Sequence, residues 1–301
     1  MTSLRANGKF LLTGEYLVLH GALSLALPLK LGQSLSVETA DDDMVKWTAR
    51  QPSGLWFDAS FDAKTLDLIQ STDAAKARFV ARLLQIVKKK KPHLFDKGLV
   101  FNTLLDFDPQ WGMGSSSTLI SNVARWAAIN PYQLLADTFG GSGYDIACAE
   151  ADSPIFYSIV KGSPTSREAD FRPPFRDSLF FVYQGKKQSS ANEVKGFLDN
   201  GSDNYLKYMS LIGNISTEMV KSDKLDDFCR LVDEHEAIMS ECLGKPRLKS
   251  RFSDFEGSVK SLGAWGGDFM LAASAKGRDY VADYFARRDM NVVLGYEEVV
   301  L

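Results

Sequence analysis

A glycine- and serine-rich segment, Gly-Met-Gly-Ser-Ser-Ser-Thr at residues 112–118, most constrains what this chain can fold into. We call it the serine loop. It follows a strand-like run at Leu99–Leu105, and directly after it Leu119 and Val123 begin an apolar helical spacing. Glycine lets the backbone take positive φ and approach a ligand closely, and the free N–H groups of a helix start attract anions. The segment therefore predicts a phosphate-binding loop, with a plain serine-rich helix cap as the alternative.

The common signatures of several other sites are missing from the sequence. No Gly-Lys pair is followed by Ser or Thr, which excludes a Walker-type P-loop. No Gly-x-Gly-x-x-Gly, His-Glu-x-x-His or Gly-x-Ser-x-Gly segment occurs either. The simplest dinucleotide-binding, zinc-protease and serine-hydrolase interpretations are thereby removed.

The composition and net charge of the chain limit the kinds of molecule that it is expected to bind. The 301 residues are 45% hydrophobic and 24% charged, with a formal net charge of −3, as in an ordinary globular protein. This charge gives no electrostatic reason to expect nucleic acid or an anionic membrane. The apolar stretch Tyr16–Leu29 is shorter than the ~20 residues of a membrane span. Three cysteines without a close pair fit reduced thiols, so we expect a cytoplasmic protein.

The length and a change of composition predict two domains. The segment Lys161–Asp177 is rich in proline and charged residues, which is typical of a linker or loop. It separates an N-terminal domain at residues 1–165 from a C-terminal domain at residues 175–301. Apolar spacing predicts helices over residues 73–90, 203–221, 225–243 and 278–288.

Three other segments carry chemistry-bearing residues next to glycines. The opening motif, residues 8–21, reads Gly-Lys-Phe-Leu-Leu-Thr-Gly-Glu-Tyr-Leu-Val-Leu-His-Gly. The second glycine cluster, residues 140–147, ends with Asp145 at a predicted helix start, and the third glycine cluster covers residues 263–269. Each is weak alone. His235 stands among Asp233, Glu234 and Glu236, a pattern that predicts an exposed charged helix face.

In this order, the four segments resemble the motifs of the GHMP family of small-molecule kinases, over residues 8 to about 275. The opening motif is similar to the family's first motif, the serine loop to its ATP-phosphate motif and the third glycine cluster to its C-terminal motif. The second glycine cluster and residues 183–190 are similar to segments of the family's mevalonate-pathway branch, which belongs to isoprenoid biosynthesis. The similarity is to the phosphomevalonate kinases of that branch in particular. Asn7 departs from the family's usual Pro, and Trp265 interrupts the last glycine run.

The resemblance implies an α+β fold with a ribosomal protein S5 domain 2-like N-terminal domain and a ferredoxin-like C-terminal domain, with both substrates in the cleft between them. It implies ATP and Mg²⁺ as cofactors. Lys9 and Asp145 would be catalytic: Asp145 would orient or deprotonate the accepting oxygen, and Lys9 would lower the pKa of that oxygen or neutralise the γ-phosphate. Ser116 would contact Mg²⁺. The serine loop would hold the nucleotide through Gly112, Met113, Gly114, Ser115, Ser116 and Ser117.

The acceptor is less defined than the nucleotide, because acceptor contacts are scattered side chains. The substrate-binding positions implied by the resemblance are Glu15, Tyr16, His20, Ser142, Gly143, Lys186, Lys187, Ser189, Ser190, Gly266 and Gly267. A solvated loop is the alternative for the two lysines. Phosphomevalonate, mevalonate, homoserine or a sugar are possible acceptors, and a diphosphomevalonate decarboxylase or a nucleotide- or metabolite-binding regulator are the other functions. We expect a small-molecule substrate and a monomer or homodimer, with no nucleic-acid or membrane partner.

Overall fold

The computed structural model describes residues 2–185, 205–263, 265 and 267–301. The predictions for Lys186, Lys187, Ser189, Ser190 and Gly266 lie outside the described residues. The chain forms two compact units. The first unit contains the residues up to Gly8, Leu31–Pro109 and Met113–Glu150, and the second unit contains the described residues of Lys9–Lys30, Gln110–Gly112 and Ala151–Leu301. The domain boundaries predicted from the sequence stay a prediction.

The first unit combines a mostly antiparallel sheet with four helices. Its strands follow the order β5-β4-β3-β6-β2, β1 pairs with β2, and β3 and β6 run parallel. The strands are β1 (Thr2–Leu11), β2 (Ser24–Ala40), β3 (Met44–Gln51), β4 (Gly54–Asp62), β5 (Leu68–Ser71) and β6 (Gly98–Leu105). The helices are α1 (Ala74–Lys90), α2 (Ser115–Ala127), α3 (Pro131–Thr138) and α4 (Tyr144–Glu150). Strands β1 and β2 each continue into segments of the second unit.

Helix α1 confirms the helix predicted over residues 73–90. Asp73 caps it by accepting hydrogen bonds from the N–H groups of Ala75 and Lys76. Val80, Leu83, Leu84 and Val87 are buried on one face of the helix, in the core that also contains Trp47 and Phe101. The rings of Trp47 and Phe101 stack at 5.0 Å. Burial of this face, more than intrinsic propensity, stabilises the helix.

The second unit is built around an antiparallel four-stranded sheet with the order β10-β11-β9-β12. Its strands are β9 (Leu179–Tyr183), β10 (Ser258–Ser261), β11 (Phe269–Ala273) and β12 (Val293–Gly295), and its helices are α5 (Tyr205–Lys221), α6 (Leu225–Leu243), α7 (Gly277–Ala286) and α8 (Tyr296–Val299). Along the chain, β9, β10, β11, α7 and β12 follow the β-α-β-β-α-β sequence of a ferredoxin-like fold, with α5 and α6 in the first crossover. The helices predicted over residues 203–221 and 225–243 are confirmed where the structure describes them.

One prediction about this unit is wrong. Lys161–Asp177 is not a plain linker, because it contains strand β8 (Ser163–Glu168), which pairs with β7 (Ile155–Val160). Every residue of β8 is exposed and β8 lies at the sheet edge, where Pro164 is tolerated. An exposed edge strand has no buried face, so its polar composition resembles that of a loop. No described helix has both the length and the apolar character needed to cross a membrane.

Candidate functional site

The serine loop forms the start of helix α2. Gly112 has φ of 65° and Gly114, the residue that caps the helix, has φ of 96°. Glycine is the residue that adopts this left-handed conformation without strain. The first helical hydrogen bond joins the N–H of Thr118 to the carbonyl of Gly114. The N–H groups of the preceding first turn therefore have no partner within the helix, which is the arrangement that binds anions.

The hydroxyls of the serine loop divide into two pairs. Ser117 and Thr118 are buried: Ser117 donates to the carbonyl of Gly114 at 2.9 Å, and Thr118 donates to the side chain of Gln33 at 2.8 Å. Ser115 is half-buried and Ser116 is exposed, and neither hydroxyl bonds to any residue that the structure describes. Their hydroxyls are therefore accessible to a ligand, whereas the buried pair fixes the loop. Met113 is fully buried, so its backbone alone remains for a nucleotide.

Asp145 lies in the first turn of α4, directly after a turn in the chain whose backbone conformation requires glycine. Gly140, Gly141 and Gly143 have φ of 70°, 106° and 83°. The carbonyl of Gly143 accepts the first helical bond, from the N–H of Ala147. Ser142 is almost fully buried, whereas Asp145 is half-buried. A carboxylate in the first helical turn interacts favourably with the helix dipole.

The carboxylate of Asp137, the only one between Thr118 and Asp145, is bound by neighbouring side chains. It lies 3.1 Å from the ammonium of Lys90 and accepts a hydrogen bond from Gln133 at 2.9 Å. The hydrogen bond with Lys90 lowers the pKa of Asp137. The described residues contain no group of three or more His, Cys, Asp or Glu side chains that could hold a metal ion.

In the second unit, residues from three distant segments meet around Gly112. The ammonium of Lys9 donates to the carbonyl of Gly112 at 3.0 Å. A Cβ at Gly112 would lie 1.8 Å from Oδ2 of Asp268, so the carboxylate of Asp268 packs against this glycine. The opening motif, the first residue of the serine loop and the third glycine cluster are thus in contact. Sequence reasoning did not select Asp268 as a site residue, although it follows the predicted Gly267 directly.

The opening motif makes a strained turn after β1. Gly14 has φ of 87° and Tyr16 has φ of 61°, which is rare for a bulky residue. A Cβ at Gly14 would lie 2.0 Å from the hydroxyl of Ser24, so glycine is required there. The hydroxyl of Tyr16, which is buried, accepts a hydrogen bond from the N–H of Trp265 at 2.8 Å. This bond connects the opening motif to the third glycine cluster.

The carboxylate of Glu15 is buried in a cluster of charged side chains. It forms an ion pair with Lys260 on β10, and its second oxygen lies 3.3 Å from Nε2 of His235 on α6. All three side chains are fully buried. Burial raises the pKa of Glu15, but Lys260 and His235 together outweigh burial and lower it. Beside this group, Glu236 accepts hydrogen bonds from two backbone N–H groups, and burial raises its pKa.

The exposed helix face predicted for His235 is wrong. His235 is fully buried, and its Nε2 accepts a hydrogen bond from the N–H of Gly14 at 3.2 Å. Burial, followed by the charge of Lys260, lowers the pKa of His235 to about 4. The sequence contained a signal for this position, because the buried apolar residues of α6 share its helical face: Phe228, Leu231, Val232 and Met239. The acidic neighbours in sequence concealed it.

The burial of His235 predicts an acid-sensitive fold. Its folded pKa of about 4 lies below the ordinary value of 6.5, so the unfolded state binds the proton more readily. The stability that results from neutral, buried His235 is complete above the pKa that this side chain has in the unfolded state. It is lost as the pH falls from about 6.5 to about 4. We expect a loss of about 3 kcal/mol in the free energy of unfolding over that window.

Urea unfolding at about pH 7 and about pH 4 measures this loss. His235→Gln, which keeps a hydrogen-bond acceptor for Gly14, is expected to reduce the pH dependence by that amount. His93→Gln is the control, because His93 is exposed. Equal pH dependence in wild type and His235→Gln would contradict the assignment.

The remaining predicted substrate residues lie in the second unit. His20 is exposed and stacks on Tyr205 at a ring distance of 4.7 Å. The carbonyl of Gly267 accepts a hydrogen bond from the buried side chain of Gln184, which itself accepts one from Arg251 at 3.1 Å. Glu15 and Tyr16 are buried, as described above. Their predicted substrate contacts, like those of His20, Ser142, Gly143 and Gly267, stay predictions.

Several solved structures of small-molecule kinases are similar in fold to this chain. The chain is similar to mevalonate kinase from Methanococcus jannaschii, with 16% identity, a TM-score of 0.69, and coverage of 97% of this chain and 96% of that one. Phosphomevalonate kinase from Streptococcus pneumoniae, in complex with phosphomevalonate and AMPPNP, has 13% identity, a TM-score of 0.71 and coverage of 98% and 100%. Lactococcus lactis galactokinase complexed with galactose has 13% identity, a TM-score of 0.68 and coverage of 97% and 92%. No family model and no curated protein matches the chain. The chain has the α+β fold of GHMP kinases, as in the mevalonate and phosphomevalonate kinases.

Proposed function

We propose that this protein is an ATP-dependent kinase that transfers the γ-phosphoryl group to a small molecule, with phosphomevalonate favoured over mevalonate as the acceptor. The observation that supports it most is the serine loop. It offers the hydroxyls of Ser115 and Ser116 and the N–H groups of the first turn of α2, which have no partner within the helix, while the buried pair fixes the loop. Phosphoryl transfer depends mainly on such positioning and on charge neutralisation. The fold shared with kinases of small molecules agrees with this assignment.

Each residue of the proposed site has a separate role in the reaction. The N–H groups of the serine loop hold the ATP phosphates. Lys9 compensates the negative charge of the γ-phosphate, and Asp145 orients or deprotonates the accepting oxygen. The exposed hydroxyl of Ser116 is a hard oxygen ligand suited to Mg²⁺. When bound, Mg²⁺ would neutralise phosphate charge.

A charge argument favours the phosphorylated acceptor. A phosphomonoester is already largely ionised near neutral pH, so its nucleophilic oxygen needs a base less than it needs a cation. Such an acceptor adds about two negative charges to a site that already binds ATP. Lys186 and Lys187, with the hydroxyls of Ser189 and Ser190, would supply compensating charge and hydrogen bonds. These four residues are proposed from the sequence alone.

A panel of acceptors tests the proposed function. ADP release would be measured with mevalonate, phosphomevalonate, diphosphomevalonate, homoserine and galactose, with CO₂ measured in parallel. We expect ADP release that depends on phosphomevalonate and no CO₂. CO₂ release with diphosphomevalonate would identify a decarboxylase instead. ADP release that no acceptor stimulates would favour a nucleotide- or metabolite-binding regulator.

Ser116→Ala is expected to raise KM for MgATP or lower kcat by roughly 10-fold, because it removes one oxygen ligand or hydrogen bond at the phosphates. The fold should be retained, since the hydroxyl bonds to no described residue. Steady-state kinetics with varied MgATP measure the effect. Ser121→Ala on the same helix is the control, because that hydroxyl contacts Glu150 instead. Unchanged nucleotide affinity and turnover in Ser116→Ala would overturn the role of Ser116.

A further inference from the structure

The buried ion pair between Glu15 and Lys260 joins two chain segments that carry site residues. Glu15 lies in the opening motif, six positions after Lys9. Lys260 lies on β10, three positions before the third glycine cluster begins at Gly263. Both side chains are fully buried, and the ammonium of Lys260 also donates to the carbonyl of Ser261 at 2.8 Å. The pair therefore fixes the opening motif to the strand that leads into the third cluster.

Two uncharged contacts hold the residues on either side of Glu15. On one side of Glu15, the N–H of Gly14 donates to His235. On the other side, the hydroxyl of Tyr16 accepts from the N–H of Trp265 within the third cluster. Three consecutive residues of the opening motif are thus held by α6, β10 and the third cluster. Tyr16 keeps a positive φ of 61° in this arrangement, and surrounding contacts are what maintain such a conformation.

A buried ion pair usually contributes little to the net stability of a protein. Removing two charges from water costs free energy that their attraction often does not recover, and apolar replacements are frequently neutral or stabilising. Where an ion pair is nevertheless fully buried, geometric specificity is the stronger explanation. Here the two segments that it joins lead to Lys9, which donates to the carbonyl of Gly112, and to Asp268, whose carboxylate packs against the same glycine.

We propose that Glu15 and Lys260 are positioning residues, which hold the opening motif against the third glycine cluster and touch neither substrate. This assigns Glu15 a role different from the substrate contact that the sequence suggests, and it gives Lys260 a role that the sequence did not indicate. The consequence for turnover rests on the proposed kinase function. The consequence for structure does not, because the pair should control the environment of Trp265 whatever reaction the protein catalyses.

The test is the double variant Glu15→Gln/Lys260→Met, which removes both charges and leaves neither one unpaired. We expect it to fold with a Tm within a few degrees of wild type, and to lose roughly 10-fold or more in kcat/KM for the acceptor while its ATP affinity changes little. A purely structural pair would instead lower Tm and leave the kinetics of the folded protein unchanged. The control is Arg278→Met/Glu298→Gln, which removes an exposed ion pair of 2.6 Å in the same unit.

A second measurement needs no activity. With 5-fluorotryptophan in place of the five tryptophans, the ¹⁹F resonance of Trp265 is assigned by comparison with Trp265→Phe. We expect this resonance to shift or broaden in the double variant and to stay unchanged in the control. If the double variant failed to fold, Glu15→Gln/Lys260→Gln would be measured in the same way, because two amide side chains can hydrogen-bond to each other and leave no buried charge.

The two measurements separate this proposal from the proposed function. Wild-type protein that phosphorylates no acceptor would overturn the kinase function, and the Trp265 resonance would still decide the positioning role. A Trp265 resonance identical to that of wild type, or unchanged kcat/KM in an active enzyme, would overturn the positioning role. The shifted resonance, together with a kinetic loss at nearly constant Tm, would support it.

Discussion

Asp145→Asn is expected to lower kcat by roughly 10²–10³-fold while nucleotide affinity is retained. Asparagine keeps the shape of the side chain but lacks the carboxylate that we propose orients the accepting oxygen, or deprotonates it where the acceptor is an alcohol. Asp145 lies half-buried in the first turn of α4, where glycine conformations fix the preceding turn. Retained ATP binding with lost turnover would mark an interaction made mainly in the transition state.

Single-turnover kinetics at saturating acceptor, together with equilibrium binding of ATP, measure the effect of Asp145→Asn. Asp137→Asn is the matched control, because this carboxylate is bound by Lys90 and Gln133. We expect the control to keep wild-type kcat. Near wild-type kcat in Asp145→Asn, on the acceptor that the protein uses, would show that Asp145 has no catalytic role.

Lys9→Met is expected to lower kcat by a similar 10²–10³-fold, because it removes a cation from the transferred phosphoryl group. Methionine retains most of the aliphatic chain and therefore its packing. It lacks the ammonium that reaches the carbonyl of Gly112 at 3.0 Å. Since Gly112 begins the serine loop, a small increase in KM for MgATP should accompany the loss of kcat.

The matched control for Lys9→Met is Lys30→Met, whose ammonium donates to the backbone carbonyl of Glu297. Both variants remove one lysine charge from the second unit, so a general electrostatic effect would appear in both. We expect only Lys9→Met to lose turnover. Equal kinetics in the two variants would mean that the charge of Lys9 does not act on the reaction.

Local patterns predicted much of the fold and some of the site. The apolar spacing was sufficient for α1, and the glycine and serine spacing predicted the presence of α2, although this helix begins at Ser115, within the serine loop and not after it. These features involve residues within a few positions of one another, so propensity and periodicity report on them directly. The exposed strand β8 escaped detection because an edge strand without a buried face has no alternating pattern.

Long-range polar contacts could not be predicted in the same way. Glu15 and Lys260 are 245 positions apart, and nothing local to either residue indicates that the other neutralises it. His235 was obscured by the acidic residues beside it, although its apolar helix face was visible in the spacing of α6. The contact of Gly112 with Asp268 likewise depends on the folded backbone. Such contacts come from tertiary packing, which a single sequence does not encode locally.

The central claim is that this protein moves the γ-phosphoryl group of ATP onto a small acceptor. The most direct measurement is ³¹P NMR of a reaction containing the wild-type protein, MgATP and phosphomevalonate, followed over time. We expect the γ-phosphate and phosphomonoester signals to decrease together while ADP and a new acceptor diphosphate increase in equal amounts. An unchanged phosphomonoester signal, with ADP and inorganic phosphate as the only new products or with no ATP consumed, would contradict phosphomevalonate as the acceptor. The same result with every acceptor of the panel would contradict the kinase function itself.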